Sequence, residues 1–174
     1  MLPEPVKKFV ELFAKLPGIG PRQATRIAFH VSNQGKSSVS ELSKAVAGLI
    51  GLKNCSSCFV TTPNADVCNT CSNPQRRKDL IAVVEKETDL LSLEKTGKFE
   101  GRYLVLGEIK KDGVLSEVQK LRLKTLKGVE EVILAINPTT YGDLNASLVS
   151  EELKSVKKIS RLGRGIPTGG EIEF

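Results

Sequence analysis

Four cysteines, the only ones in the chain, form two Cys-x-x-Cys pairs separated by nine residues: Cys55, Cys58, Cys68 and Cys71. Each pair predicts a tight turn that directs two sulfur atoms at one point. A structural zinc site takes four thiolates at Zn–S distances of about 2.3 Å and leaves no position for a substrate. The spacing therefore predicts one tetrahedral, structural zinc per chain, with two disulfides as the alternative.

The alternative of two disulfides requires an oxidising compartment. The segment from Met1 to Pro5 has neither the basic start nor the apolar stretch of a secretory signal, so we expect a cytoplasmic protein whose thiols stay reduced. No apolar run approaches the length of about 20 residues that a membrane span needs. Reduced cysteines at this spacing favour zinc over disulfides and over a reactive redox pair.

The positive charge of the chain lies in its N-terminal half. The 174 residues have a formal net charge of +6. Residues 1 to 78 carry eleven Lys or Arg against four Asp or Glu, whereas residues 79 to 174 carry fifteen against sixteen. A zinc held by four thiolates removes about two units of positive charge, and the N-terminal half still suits a polyanionic partner. A solvated basic surface without a partner is the alternative.

Apolar residues at helical spacing predict three helices before the cysteines. The first covers Val6 to Leu16, and the second begins at Pro21, a residue suited to a first helical turn. Ser38 and Glu41 have the spacing of a capping box and predict the start of the third helix. The residues expected on the core face of the third helix are Leu42, Ala45, Val46, Leu49 and Ile50.

The turn between the first two helices has the sequence form of a helix-hairpin-helix, Leu16-Pro17-Gly18-Ile19-Gly20-Pro21-Arg22. Gly18 and Gly20 can adopt backbone angles closed to other residues and let N–H groups approach a phosphate at the positive end of the next helix. Arg22 and Arg26 lie four residues apart on one face and can add charge-assisted contacts to a sugar-phosphate backbone. These four residues are the predicted DNA-binding site. An ordinary two-helix turn with a glycine cap is the alternative.

The second half of the chain alternates short apolar runs with helical ones, which is typical of a parallel sheet flanked by helices. The predicted strands are Leu80–Val84, Tyr103–Leu106, Val132–Ile136 and about Val156–Ile159. The predicted helices lie near Leu90–Lys95, Leu115–Leu126 and Leu144–Leu153. The predicted fold class is therefore α/β. We expect a helix-hairpin-helix region over residues 1–53, a four-cysteine zinc finger and connector over 54–78, and a mostly parallel sheet with a C-terminal extension over 79–174.

Several stretches of the chain together resemble the RecR family of bacterial recombination mediators, over about residues 5 to 174. Besides the hairpin and the four cysteines, they are Arg26-Ile27-Ala28-Phe29-His30, Asn73-Pro74, Val83-Val84-Glu85, Gly101-Arg102-Tyr103-Leu104-Val105-Leu106, Asn137-Pro138-Thr139 and Gly165-Ile166-Pro167-Thr168-Gly169-Gly170. The resemblance implies a DNA-binding hairpin, a zinc finger and a Toprim domain. It also implies ring-like tetramers that encircle DNA and act with the proteins RecO and RecF to load recombinase on single-stranded gaps.

The residues at the metal-binding positions of the Toprim-like part indicate whether it is an enzyme. Toprim enzymes place a Glu after the first strand and an Asp-x-Asp after a later one, because clustered carboxylates hold the Mg²⁺ that activates phosphoryl chemistry. Glu85 stands at the first position, but Asn137 and Thr139 stand where the aspartates would be. We therefore expect a domain that binds partners and has no catalytic residues. A magnesium-dependent nuclease or strand-transfer enzyme with Glu85 and Asp143 as ligands is the alternative, and Glu85 as an ordinary strand-end carboxylate is another.

The chain departs from the family where members commonly have Glu-Gly-Glu, because it has Tyr141-Gly142-Asp143. The resemblance suggests that these acids meet RecO, so Asp143 and Glu85 are the predicted partner-binding residues and Tyr141 replaces an acid there. Segment 107–113 is shorter than the family leads us to expect. The chain also stops at Phe174, whereas relatives continue into part of a subunit interface, and ring closure is the expectation that this affects most.

The remaining polar features are given structural roles. His30 is the only histidine, and we expect it to cap or pack at the end of the second helix. We expect a second basic strip or a solvated strand edge at Lys157, Lys158, Arg161 and Arg164. We expect a non-enzymatic, zinc-containing and oligomeric DNA clamp, and a zinc-stabilised interaction module without DNA contact is the third alternative.

Overall fold

The computed structural model describes residues 2–63, 66–110 and 113–163. It divides into two compact units, Met1–Leu52 and Lys53–Phe174, each with its own internal contacts. The predicted boundaries at residues 53 and 78 stay predictions. No helix among the described residues is long and apolar enough to cross a membrane.

The first unit consists of helices, as predicted. Their bounds are α1 Glu4–Phe13, α2 Pro21–Asn33 and α3 Gly35–Gly48, followed by a single 3₁₀ turn at Leu49–Gly51. Pro21 occupies the first turn of α2, where its missing N–H has no intrahelical partner to lose. Ala24 and Ala28 are the buried residues of α2, and Phe9 stacks on Phe13 along α1 with ring centroids 3.8 Å apart.

Two predictions for the third helix are wrong. The helix begins at Gly35, so Ser38 lies inside it and forms no capping box. Gly35 has a φ of +87°, which turns the chain directly from α2 into α3, so that the helix begins three residues before Ser38. The predicted core face is also exposed among the described residues, from 42% at Leu42 to 87% at Ile50, because nothing described in this unit covers it.

The second unit opens with the cysteine segment, which forms a small two-stranded sheet. Its strands are β1 Leu52–Asn54 and β2 Thr61–Pro63, and a single-turn helix, α4 Asn69–Ser72, follows. These short strands have no signal in the sequence, because three residues are too few to show a period of two. Arg76 then ties the connector to the larger sheet by donating to the Phe99 carbonyl oxygen at 2.8 Å.

The larger sheet has four parallel strands in the order β4-β3-β5-β6, which confirms the predicted α/β class. The strands are β3 Arg77–Val84, β4 Gly101–Val105, β5 Glu131–Leu134 and β6 Lys158–Arg161. The helices between them are α5 Glu87–Glu94, α6 Glu117–Lys124 and α7 Thr140–Glu152. The last strand begins later than predicted, because Val156 turns back to Leu153 by an N–H to O bond of 2.8 Å and is buried ahead of the strand.

The sheet is buried on both faces, as parallel sheets are. One face carries the larger cluster, which includes Val83, Leu104, Val132 and Leu134 and packs against α6 and α7. The other face, with Val84 and Val105 among its residues, packs against α5. Because the carboxyl ends of parallel strands meet at one edge, the residues after β3 and β5 are brought to a common region.

Gly142 is the one residue of the first turn of α7 that must lack a side chain. A Cβ placed there overlaps the carbonyl oxygen of Asn137, and Thr139 Oγ1 would lie 3.2 Å from it. The Thr139 hydroxyl already accepts the Gly142 N–H at 3.0 Å and caps the helix. The helix therefore begins against the preceding loop with no free space between them.

Gly142→Ala should lower the free energy of unfolding by about 1–3 kcal/mol, the usual cost of overpacking. At an ordinary helical position the same change stabilises by about 1 kcal/mol, so the sign is informative. Gly48→Ala in α3 is the matched control, since a Cβ there meets nothing within 4 Å. Denaturant unfolding followed by circular dichroism measures both variants, and a Gly142→Ala protein as stable as the wild type would contradict the close packing.

Candidate functional site

The four cysteine sulfur atoms meet at one buried point, as the spacing predicts. All four Sγ atoms lie within 4.8 Å of one another, and those of Cys58 and Cys68 are 3.5 Å apart. The four thiols are free, which is inconsistent with the alternative of two disulfides. A tetrahedral zinc with Zn–S distances of about 2.3 Å places its sulfurs about 3.8 Å apart. The cluster therefore fits one tetrahedral metal ion held by four thiolates.

Two local structures direct the sulfurs. The Cys55 N–H donates to the Val60 carbonyl oxygen at 2.8 Å, and the Phe59 N–H returns to the Cys55 oxygen at 2.9 Å. This turn is tight enough to hold Phe59 at a φ of +64°, a left-handed angle that a non-glycine residue adopts rarely. The second pair lies at the N-terminus of α4, where the Cys68 N–H donates to the Cys55 sulfur at 3.3 Å.

The thiols of the cluster differ in acidity. Burial raises the pKa of Cys55, but backbone N–H groups of Cys58, Cys68 and Ser57 outweigh it and lower the value to about 6. A side-chain hydrogen bond with Cys71, together with burial, raises the pKa of the Cys58 thiol. Burial also raises the pKa of Cys68. Cys55 thus reaches its thiolate form most easily, and a metal ion must displace protons from its neighbours.

The cysteine turn is bonded directly to the larger sheet. The Val105 N–H of β4 donates to the Cys58 carbonyl oxygen at 2.8 Å. Arg122 of α6 donates to the Val105 oxygen at 2.9 Å, and its guanidinium lies 4.6 Å from the centre of the Phe59 ring. On the other side, Glu87 accepts both the N–H and the hydroxyl of Thr61, at 2.8 and 2.6 Å. The cysteine turn therefore covers the edge strand β4 of the sheet.

The predicted DNA-binding residues lie on the first unit, at the start of α2. Gly18 has a φ of +77°, as expected for this turn, whereas Gly20 has an ordinary φ of −87°. The expectation of unusual backbone angles at both glycines is therefore wrong for Gly20. Gly20 instead accepts the Ala24 N–H at 2.9 Å as the N-cap residue, and a Cβ there would meet nothing within 4 Å.

Arg22 and Arg26 are exposed on the next turns of α2. Neither side chain has a hydrogen bond or ion pair with any residue that the structure describes, so both guanidinium groups face solvent. His30, one turn further, lies with its Nε2 atom 2.8 Å from the Gln34 amide nitrogen, as expected of a residue at the helix end. The helix thus presents two unpartnered cations near a positive N-terminus.

The carboxyl ends of the strands hold the residues that would bind Mg²⁺ in a Toprim enzyme. Glu85 follows β3 directly and is 9% exposed. Its carboxylate accepts a hydrogen bond from the Asn145 amide at 3.2 Å. Thr139 caps α7, as described above, and Asp143 forms an ion pair with Arg161 at 2.9 Å. The amide, hydroxyl and guanidinium groups around these acids make a hydrogen-bonded corner.

Sequence reasoning missed Asn145 and Arg122. Asn145 is buried on the face of α7 that also includes Gly142, Ala146 and Val149. A polar residue at this helical spacing among apolar ones indicates a buried hydrogen bond, so the sequence did contain a signal for it. Arg122 had no such signal, because its contacts depend on how α6 packs against the cysteine turn. Arg164 and the segment 165–170, also singled out in the sequence, lie outside the described residues.

Comparisons with known proteins match two regions of the chain to family models. The family described as "RecR, helix-hairpin-helix" matches residues 6–49, and the Toprim domain matches residues 79–163. A "Recombination protein RecR" of Clostridium perfringens is 39% identical over 184 aligned residues, which cover 99% of this chain and 90% of the relative.

Two further relatives of the same name are similar over comparable lengths. The protein of Rippkaea orientalis is 36% identical and covers 100% of this chain and 91% of its own length. The protein of Anaeromyxobacter is 37% identical, and the alignment covers 98% of this chain and 90% of that protein. At these identities and coverages, the chain belongs to the RecR family.

Proposed function

We propose that this protein is a DNA-binding mediator of recombinational DNA repair that has no enzymatic activity of its own. The observation that carries this function is the hairpin of the first unit, which presents Arg22 and Arg26 unpartnered beside a helix N-terminus. The relatives that the chain matches are named recombination proteins. In this proposal several copies assemble as a cytoplasmic clamp that acts with RecO and RecF to load recombinase on gapped DNA.

The hairpin supplies the contact with DNA. In this role Gly18 makes the sharp turn, and Gly20 leaves space at the helix start for a phosphate to approach the N–H groups. Arg22 and Arg26 then pair with backbone phosphates on the same side. Such contacts position a protein on DNA without reading bases, so the proposed binding depends little on sequence.

Zinc is the metal proposed for the cysteine cluster, one ion per chain, bound by Cys55, Cys58, Cys68 and Cys71. Four thiolates in a closed, buried arrangement suit a soft, tetrahedral ion and give it a structural role. The same ion would stabilise the turn that is bonded to β4 through Cys58 and Val105.

The Toprim portion is proposed to bind a protein partner and to perform no phosphoryl transfer. Asn137 and Thr139 offer no anionic oxygen, and Asn145 directs an N–H donor at Glu85, where a metal ion would need a ligand. Of the two acids proposed to meet RecO, Asp143 is the more accessible, with a side chain 39% exposed, although it is paired with Arg161. The division into residues 1–53, 54–78 and 79–174 is part of this proposal.

One prediction of this function concerns the metal. Structural zinc in small fingers contributes about 10–16 kcal/mol, so removal of one thiolate should weaken the site by several kcal/mol. Cys58→Ser should therefore lose zinc and lower the thermal stability of the second unit. Elemental analysis of protein purified without chelator measures this, with Ser72→Ala, beside the cluster, as a control that keeps its zinc. Wild-type protein without zinc would contradict the assignment.

Another prediction tests the hairpin by reversal of charge. Non-specific binding at physiological salt has dissociation constants of about 10⁻⁴ to 10⁻⁶ M, and linked copies raise the apparent affinity through effective concentration. Arg22→Glu with Arg26→Glu should abolish binding of gapped DNA, measured by fluorescence anisotropy, and leave zinc content and the circular dichroism spectrum unchanged.

Lys36→Glu with Lys44→Glu is the matched control for the hairpin variant. Both lysines are exposed on α3 of the same unit, so the change of charge is equal but lies away from the hairpin. This control should retain most of the affinity at moderate salt. Equal loss of binding in the two variants would show that only net charge matters and would remove the hairpin from the site.

A further prediction concerns catalysis. The wild-type protein should not cleave, join or prime strands with Mg²⁺ or Mn²⁺ in a gel assay on labelled DNA. Asn137→Asp with Thr139→Asp should raise the affinity for divalent ions, measured by calorimetry, because carboxylates replace neutral oxygens and Asp also caps a helix. Nicking by the wild type that Glu85→Gln stops would instead support the magnesium-dependent enzyme.

A further inference from the structure

An open cleft of about 320 Å³ lies on the second unit, between the cysteine cluster and the start of the sheet. Its polar lining includes Ser56, Ser57, Lys78, Arg102 and Thr125. Apolar residues such as Ile81 and Leu104 form the rest of the lining. We call this the Arg102 cleft. It lies at the amino ends of β3 and β4, whereas Glu85 follows the carboxyl end of β3.

The Arg102 cleft contains hydrogen-bond donors that have no acceptor. The Nε atom of Arg102 is buried and has no hydrogen-bond partner among the residues that the structure describes. In the same described part of the chain, neither the Lys78 ammonium nor the Ser57 hydroxyl makes a side-chain hydrogen bond or ion pair. Two cationic residues and one hydroxyl residue without an acceptor among the described residues therefore line one cleft.

An irregularity of the sheet sets Lys78 apart from its neighbours. Arg77 pairs with Gly101, yet the next pair joins Ile81 to Arg102, so the residues between Arg77 and Ile81 have no counterpart on β4. Such bulges redirect side chains. Gly101 permits the close approach, because a Cβ there would overlap the Leu80 carbonyl oxygen. The backbone thus brings Lys78 and Arg102 to the same cleft by a defined register shift.

The missing partner must be an anion with several acceptor oxygens. A buried donor without an acceptor costs about 1–3 kcal/mol, and a charged one costs more, so a fold tolerates it best where a ligand completes it. No carboxylate is among the described residues that line the cleft. Cys71 is part of the lining, but its sulfur does not accept a hydrogen bond from Arg102 Nε. A phosphate group supplies the charge and the oxygens that these donors need.

We propose that the Arg102 cleft binds a phosphate group of a nucleic-acid strand. The source of the phosphate rests on the DNA-binding function proposed above. A water molecule takes about 30 Å³ in the liquid, so the cleft exceeds one phosphate and leaves room for the attached sugar beside Ile81 and Leu104. The second unit then has a contact with the strand that is independent of the hairpin on the first.

The test compares Lys78→Gln, Arg102→Gln and the double variant with the wild type, all loaded with metal. The probe is a labelled oligothymidylate, and its dissociation constant is measured by anisotropy over a range of salt concentrations. Loss of charge-assisted contacts should weaken binding by the double variant about tenfold at low salt. The slope of log K against log salt should fall by about 0.7 for each lost phosphate contact.

Lys95→Gln is the matched control, an exposed lysine at the end of α5 that does not line the Arg102 cleft. It removes the same charge and should keep the wild-type slope. Arg102→Gln should leave the melting temperature unchanged or raise it, because it removes a buried donor without an acceptor. If that variant fails to fold, the exposed Lys78→Gln carries the test alone.

The outcomes separate this inference from the proposed function. If the wild type binds the strand and the cleft variants match Lys95→Gln, the cleft inference is overturned and the hairpin proposal stands. Inorganic phosphate bound by the wild type but not by the variants, with strand binding unchanged, would overturn the nucleic-acid source. Reduced metal content in the variants as purified, with unchanged strand binding after metal is restored, would show that Arg102 serves only the thiolates and would overturn the inference. A wild type that binds no strand overturns both proposals.

Discussion

The gathering of four thiols at one point is the constraint on which the second unit depends. The cysteine turn covers β4, which is an edge strand, and the bond from the Val105 N–H to the Cys58 oxygen takes the place of a further strand. An uncovered edge of this kind is a site for association with other chains. Arg122 and Glu87 hold the turn from α6 and α5. The proposed metal ligand Cys58 is thus also the residue that bonds the cysteine turn to the sheet.

Two acids near the carboxyl ends of the strands, Glu85 and Asp143, are bound by other side chains of the fold. In a Toprim enzyme the carboxyl ends of the strands hold carboxylates whose mutual repulsion is relieved by Mg²⁺. Here Glu85 is buried with the Asn145 amide as its donor, and Asp143 pairs with Arg161. Each acid already has a partner within the fold. In the proposed function, these contacts stand where a Toprim enzyme holds its metal.

Local spacing determines those features that could be predicted from the sequence. The cysteine pairs, the strand cores such as Leu80–Val84 and the start of α2 at Pro21 are among them, because a few adjacent residues determine each one. Features that depend on distant partners could not be predicted. Ser38 is a local exception: it has the pattern of a cap, but Gly35, three residues earlier, starts the helix. The apolar residues predicted for the core face of the third helix have a helical period, yet periodicity alone cannot tell whether another part of the protein buries them.

Affinity for a strand can arise from many weak contacts, and the distribution of charge in this chain favours that solution. The excess of positive charge lies before residue 79, and it spans both the hairpin on the first unit and Lys78 on the second. Each phosphate contact releases counterions and adds a small, salt-sensitive increment. Two weak sites on separate units of one chain raise the apparent affinity in the same way as sites on separate copies, provided that one strand reaches both. In the proposed function, a protein built in this way would bind DNA of any sequence and release it when a few contacts are lost.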